Sequence, residues 1–324
     1  MLEPPVISEA LDYSVVIEWE NVRLADTSRA DEMFRRLGGQ IRELGSRDVR
    51  GEVIAVRDGH LPDDGLDRLL ARHLADHATP VRIVDAGGAP YYEKKNVGGR
   101  AAHGAIVVFL DSDVIPEERW LASLLAAFER PDVDVAAGST YVDTSTFYSK
   151  AFALFWFFPL RDAEEGLVTA DVLFGNNIAF RRKLFLENPF PSVEQFRGQC
   201  GMLIGDLRRR GAGIFLQRGS RCAHPPPNGL MHFVRRAMCD GHDNIIIWRR
   251  DTGTHVPWRH TYWAVRAWSQ RFLSGIWSRY RDVGMTRAGA VGATMVALAY
   301  VACVTAGDLL TRVDPRIVRR RFGI

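Results

Sequence analysis

The sequence predicts an α/β chain built on a doubly wound, mostly parallel sheet flanked by helices, with a helical C-terminal extension. Three observations predict it. Short apolar runs alternate with helix-period segments over the first 140 residues, the pattern of strands joined by crossover helices. The composition is that of an ordinary globular chain, with 324 residues, 47% hydrophobic and 25% charged, which argues against general disorder, collagen and a polytopic membrane protein. Beyond residue 244 the chain changes to helical spacing rich in Arg and Trp, which sets the extension apart.

The elements follow in order. Tyr13–Trp19 (YSVVIEW) reads as a short buried strand, and Thr27–Leu44 carries Met33, Leu37, Ile41 and Leu44 at helical spacing. Glu52–Val56 (EVIAV) is a second strand, ended by Asp58-Gly59, and Leu66–Ala78 a helix with Leu69, Leu70 and Leu74 inward. Pro80–Val84 is a third strand and Asn96–His103 a short helix. Ala105–Leu110 (AIVVFL) is a fourth strand, followed at once by Asp111-Ser112-Asp113; then come a helix over Pro116–Arg130 and a strand over Val133–Gly138. In such sheets ligands bind beyond the carboxyl ends of the strands, where Asp58, Asp111 and Asp113 fall. No GxGxxG follows the first strand and no GxxxxGK[ST] occurs, which disfavours a dinucleotide fold and a P-loop.

Asp111-Ser112-Asp113 is the sharpest feature. Carboxylates at i and i+2 on an extended chain point to one side. Their oxygens suit Mg2+ or Mn2+ completed by diphosphate and water.

Several ordered blocks now carry a resemblance. They are YSVVIEWEN (13–21), EVIAVRDG (52–59), KKNVGGRAAHGAIVVFLDSD (94–113), FGNNIAFRRKLF (174–185) and LRRRGAGIFLQRGSRCAH (207–224). Over roughly residues 13–240 the sequence resembles the inverting family 2 glycosyltransferases of the GT-A fold. The resemblance implies a metal-dependent transfer of a sugar from a nucleotide diphosphate donor. It implies Asp111, Asp113 and His224 as metal ligands, with Asp113 the direct one. It implies Trp19, Glu20 and Asp58 near the nucleobase, although EWEN stands where the family has Pro-x-Tyr-Asn. Lys95 would balance diphosphate charge, Asn96 would hold its loop, and Arg235 or Arg236 would clamp the leaving group. Asn176, Asn177 and Cys200 fall on the acceptor side.

The sequence departs from the family at the catalytic base. Where the family has Glu-Asp, this chain has Gln199-Cys200. Glutamine does not take up a proton readily and cysteine needs a lowered pKa to do so. Glu194 is the candidate substitute. A displaced base, an acceptor needing little activation such as a phosphate or carboxylate, and an inactive relative all stay open.

The charge is asymmetric. The total is only +3, yet residues 244–324 hold 13 Arg against 4 Asp, a net +9 that leaves −6 for the rest. Five of the eight tryptophans lie at 248–277, and Trp258, Tyr262, Val265, Trp268, Phe272 and Ile276 mark one helical face with Arg interleaved. Twenty uncharged residues follow between Arg287 and Asp308, just the length of a membrane helix. Together they suit an anionic membrane surface; a helix packed on the body under its Arg stems is the alternative. The aromatic segment 147–160 reads either as core or as a lipid-facing surface. No nucleic-acid motif accompanies the aromatics. The four cysteines form no CxxC pair, so neither a zinc site nor a disulfide framework is indicated, and residues 1–14 lack the features of a secretory signal.

The expected organisation is a leader at 1–12, a GT-A domain at 13–228, a helical Arg/Trp-rich extension at 229–283 and a membrane-associated helix with a basic tail at 284–324. The expected partners are a nucleotide diphosphate sugar and a glycan or lipid-linked acceptor, at the cytoplasmic face of the cell membrane. A non-catalytic nucleotide-sugar-binding scaffold and a nucleotidyltransferase are the competing readings.

Overall fold

The computed structural model describes residues 10–23, 27–59, 65–75 and 79–323; most of the expected leader lies outside them. The first elements are β1 (Tyr13–Glu18), α1 (Thr27–Gly45), β2 (Gly51–Arg57), α2 (Leu66–Leu74), β3 (Val81–Asp85), α3 (Tyr91–Ala101) and β4 (Ile106–Asp111). Next come β5 (Ile115–Pro116), α4 (Trp120–Ala126), β6 (Val135–Val142), α5 (Phe147–Phe155), β7 (Leu167–Thr169), β8 (Asn177–Arg181), α6 (Arg182–Glu187), α7 (Gln199–Arg209) and β9 (Ile214–His224). Four helices close the chain: α8 (Gly229–Thr252), α9 (Trp258–Arg279), α10 (Arg287–Val313) and α11 (Pro315–Phe322).

Two compact units result. The first comprises Met1–Thr140, Asp162–Ser192 and Gln199–His224, the second Tyr141–Arg161, Val193–Gly198 and Pro225–Ile324. Boundaries at 228 and 283 were expected; the division instead groups 141–161 and 193–198 with all of the C-terminal helices.

In the first unit the described strands form one sheet in the order β3-β2-β1-β4-β8-β6-β9-β5, with β7 on β9. β1 pairs in parallel with β2 and β4, and β2 with β3. β4 meets β8 antiparallel, with Leu110 opposite Asn177. β1, β2 and β4 are buried almost throughout, so they read as continuous apolar runs rather than alternating ones. On one face the core holds Phe34, Leu37, Leu70 and Trp120 from α1, α2 and α4. On the other it holds Tyr92, Phe109, Phe185 and Leu203, which brings in α3, α6 and α7. One exception to the apolar pattern is Glu52, at the end of β2 away from the aspartates. Burial pushes its carboxyl up, but the His103 N–H, the Ser14 hydroxyl and the Arg82 guanidinium outweigh that and hold it below the usual range.

Several boundaries differ from expectation. α3 starts at Tyr91, five residues before Asn96, because Pro90 sits at its N-cap, where the missing N–H costs nothing. The helix expected from Pro116 starts at Trp120, since Ile115 and Pro116 pair with Ala223 and Cys222 of β9. The helix expected over 66–78 is described only to Leu74.

The second unit is helical. α5 opens with a reciprocal capping box between Thr146 and Ser149. Its Phe155 ring lies 4.9 Å from Phe272 and its Phe152 ring 5.9 Å from Tyr300. The aromatic segment is therefore core, and the lipid-facing alternative falls away. Along α9 only the C-terminal half of the expected face turns inward: Phe272 and Ile276 are buried, while Trp258 and Tyr262 are exposed. α10 runs so close to α8 that Gly241 and Gly307 are needed. A Cβ on the first would strike the Val304 carbonyl and on the second the Met238 carbonyl. Tyr300 donates to Asp240 at 2.6 Å. Asp308 accepts from Asn244 at 3.0 Å, Thr261 at 2.7 Å and Arg312 at 2.8 Å.

Candidate active site

The site is built at the carboxyl end of β4. Asp111 is its last residue, so the aspartates emerge where the strand stops pairing and the chain turns. Asp111 is 4% exposed and is held from three sides. Lys95 approaches Oδ1 at 2.6 Å, the Tyr91 hydroxyl lies 2.7 Å from both oxygens, and the Asn21 amide donates to Oδ2 at 3.1 Å. Lys95 is fully buried, with its ammonium 4.9 Å from the centre of the Tyr91 ring. A lysine so placed neutralises Asp111. That corrects the expectation that it faces a diphosphate.

Asp113 follows two residues on and is 6% exposed. Its backbone carbonyl accepts from Arg29 Nε at 2.8 Å, and Arg29 Nη2 donates to the Ala223 carbonyl at 2.8 Å. One guanidinium thus ties the aspartate turn to the residue before His224. Even so, among the described residues no three His, Cys, Asp or Glu side chains gather to hold a metal. The expected set of Asp111, Asp113 and His224 is not assembled as three protein ligands. The two carboxylates on the aspartate turn remain.

The other expected residues divide. Asp58 lies just beyond β2, within reach of Gly88 on the turn after β3. Asn96 does hold a loop: its amide donates to Glu93 and the Phe190 carbonyl, and its oxygen accepts from Phe190 N, all at 2.9 Å. This leaves no amide hydrogen for a ligand. Asn176 is 6% exposed, its carbonyl accepts from Asp111 N at 3.3 Å, and its side-chain Nδ2 is buried with no hydrogen-bond partner.

Four expectations are corrected. Trp19 is 1% exposed and packs on Phe34 in the core, so its ring offers no face to a base. Asn177 is fully buried, accepts from the Trp120 indole at 2.8 Å and donates to the carbonyls of Ser139 and Ser220; it links strands rather than an acceptor. Cys200 is 3% exposed, and burial pushes its thiol up to about 12. Arg236 in the second unit lies over the Trp156 and Phe157 rings beside Asp240, which spends it inside that unit. Glu194, also in the second unit, has a side chain 71% exposed and 4.0 Å from Arg319; nothing in its contacts marks a base. Arg235 belongs to the second unit too, on α8. The Glu20 side chain lies outside the described residues.

Sequence reasoning missed Tyr91, Asn21 and Arg29. A Tyr-Tyr pair directly after Pro90 was the available signal for the first. The other two reveal themselves only through partners more than 80 residues away.

Residues 41–187 match the sequence profile described as glycosyl transferase family 2. Over that stretch, 147 of the 324 residues, the chain is similar to the family 2 glycosyltransferases. The match takes in Asp58, Lys95, Asn96, Asp111, Asp113, Asn176 and Asn177, so the aspartate turn and its supports lie inside it. This glycosyltransferase has the GT-A fold, as its structural neighbours do. Mannosyltransferase PcManGT from Pyrobaculum calidifontis, in complex with GDP-Man and Mn2+, is 14% identical with TM-score 0.54, covering 94% of this chain and 88% of that one. TarS 1-349 of S. aureus, in complex with UDP-GlcNAc, is 14% identical with TM-score 0.51, covering 94% and 92%. GalNAc-T7 with UDP, GalNAc and Mn2+ is 15% identical with TM-score 0.52, covering 77% and 52%. At such identities the likeness is one of fold. No curated protein matches the sequence significantly.

The thiol allows a direct check on the base of this glycosyltransferase. Cys200→Ser is expected to leave nucleotide diphosphate release within about threefold, against the 10²–10⁴ lost with a general base. The native Cys200 should also resist alkylation at pH 8, where a thiol titrating near 12 is about one part in 10⁴ thiolate. Loss of turnover in the folded Cys200→Ser variant would make the thiol catalytic.

Proposed function

We propose that the domain transfers a glycosyl group, with inversion, from a nucleotide diphosphate sugar to a lipid-linked or cell-envelope glycan acceptor. The observation that carries this is the Asp111-Ser112-Asp113 turn at the end of β4 inside the family 2 match, with Asp111 fixed by Lys95, Tyr91 and Asn21. A divalent cation, Mg2+ or Mn2+, is the cofactor this reading requires. The donor set fits it: two hard carboxylates, of which Asp113 is the direct ligand and Asp111 the nearer support, with phosphate and water oxygens to complete the shell. When bound, the cation neutralises the diphosphate leaving group.

The chain's own residues do the rest. Lys95 and Tyr91 hold Asp111 fixed in orientation, so no reorganisation is needed as charge develops. Asp58 stands at the end of β2 to accept from a nucleobase. The buried Asn176 amide, one backbone hydrogen bond from Asp111, offers a donor that a sugar or phosphate oxygen would satisfy. Gln199 and a thiol raised to about 12 take up no proton near neutrality. That favours an acceptor that arrives already anionic, such as a lipid-linked phosphate.

Incubation of the full chain with GDP- and UDP-sugars, with Mn2+, with Mg2+ or with EDTA, tests the reading. Release of nucleotide diphosphate from one donor, lost in EDTA, is the expected result. Donor binding without release would leave a nucleotide-sugar-binding scaffold, and release of pyrophosphate a nucleotidyltransferase; either overturns the proposal.

A further inference from the structure

We infer that α9 and α10 form an interfacial docking surface for an anionic lipid bilayer, and that α10 lies on that bilayer without crossing it. By length and composition α10 passes as a membrane span: 27 residues, mean hydropathy 1.8, with 33% of its apolar window buried. Its outward stripe is uncharged. Val291, Met295, Leu298, Leu309 and Val313 are 53%, 64%, 43%, 39% and 80% exposed, at spacings that keep them on one helical face. A stripe of this kind is larger than the scattered apolar residues of an ordinary surface.

The inward side forbids a crossing. The glycine contacts fix α10 backbone to backbone on α8, and Tyr300 and Asp308 bind it to Asp240, Asn244 and Thr261. Asp308 is 2% exposed and its partner Arg312 also donates to the Val256 carbonyl at 2.6 Å. α10 therefore takes its neighbours wherever it goes. α8 carries Arg235, Arg249, Arg250 and Asp251, and α9 carries Arg259, Arg266 and Arg271. Each such residue costs about 2.5–3.5 kcal/mol at the centre of a bilayer, so the three helices do not enter hydrocarbon together.

α9 supplies the chemistry of a headgroup layer instead. Trp258, Tyr262, Trp263 and Trp277 are 70%, 60%, 56% and 46% exposed. The Arg266 guanidinium lies 5.5 Å from the Trp263 ring centre and that of Arg312 4.9 Å from Trp258. Trp and Tyr settle at the boundary between headgroup and acyl chain, while Arg pairs with lipid phosphate. The charge selects the occupant. A net +9 over residues 244–324 is complementary to anionic lipid, at about 1 kcal/mol per basic residue near the surface.

The inference is independent of the donor chemistry, because nucleotide diphosphate release is read separately without vesicles. The full chain is floated with vesicles of phosphatidylcholine alone or with roughly one-third phosphatidylglycerol. Binding is expected only to the anionic vesicles, with release by high salt and by carbonate at high pH. Trp258→Ser with Trp263→Ser, and separately Met295→Glu, should each weaken binding by about tenfold; both change exposed residues, and circular dichroism verifies the fold. Tryptophan quenching by lipids brominated near the headgroup should exceed quenching by lipids brominated at the chain end. Equal binding to neutral vesicles, resistance to carbonate extraction, no binding, or a dimer that Met295→Glu dissociates would each overturn the inference.

Discussion

Asp113→Ala is expected to slow nucleotide diphosphate release by about 10³-fold, which corresponds to about 4 kcal/mol of transition-state stabilisation. The size follows from the donor set. Asp111 is committed to Lys95, Tyr91 and Asn21, so losing Asp113 removes the carboxylate on which the cation most depends. The fold should survive, because Arg29 holds this position by its backbone carbonyl, and alanine keeps that carbonyl. The measurement is initial-rate release from the preferred donor with saturating Mn2+, beside a melting curve. A rate within about tenfold of the parent would show that Asp113 does not hold the cation.

Asp308→Ala is expected to give the largest loss of stability. Asp308 and Arg312 have side chains 3% and 7% exposed. Taking away one partner leaves a buried charge uncompensated, at about 3–5 kcal/mol. Asn244 and Thr261 lose their acceptor at the same time. The loss should appear in the C-terminal helices, read as a lower denaturant midpoint in tryptophan fluorescence, since Trp248, Trp258, Trp263, Trp268 and Trp277 all lie in α8 and α9. Asp308→Asn keeps the hydrogen-bond acceptor and should recover part of it. An unchanged midpoint for Asp308→Ala would mean that Arg312 is satisfied by the Val256 and Pro257 carbonyls alone.

Much of the first unit was legible because its strands are apolar on both faces. β1, β2 and β4 need no partner to be recognised, and the aspartate turn falls where the apolar run of β4 stops. Side-chain roles were less legible, since a motif names residues without naming their partners. Lys95 read as a ligand contact in KKNVGG, yet its ammonium is spent on Asp111. Asn177 lies on a strand with sheet neighbours on both sides, and only the pairing of β8 with β4 and β6 shows that its amide is consumed there. α9 misled for a related reason. Its 3.6-residue period marks an apolar face, but which part is covered depends on where α10 and α5 pack, and those contacts are set by small residues that carry no period of their own.

The division of the chain between its two units has a consequence for biosynthesis. A ribosome emits the chain from its N-terminus, and domains tend to fold as they emerge. Every residue of the first unit has been made by His224, yet α5 lies well upstream and belongs to the second unit. Phe152 and Phe155 must wait for Phe272 and Tyr300, more than a hundred residues later, before their rings are covered. During that interval the nascent chain displays its most aromatic segment to solvent and to chaperones. Phe272 and Tyr300 are thus the residues that end this aggregation-prone interval, and removing α9 and α10 would prolong it indefinitely.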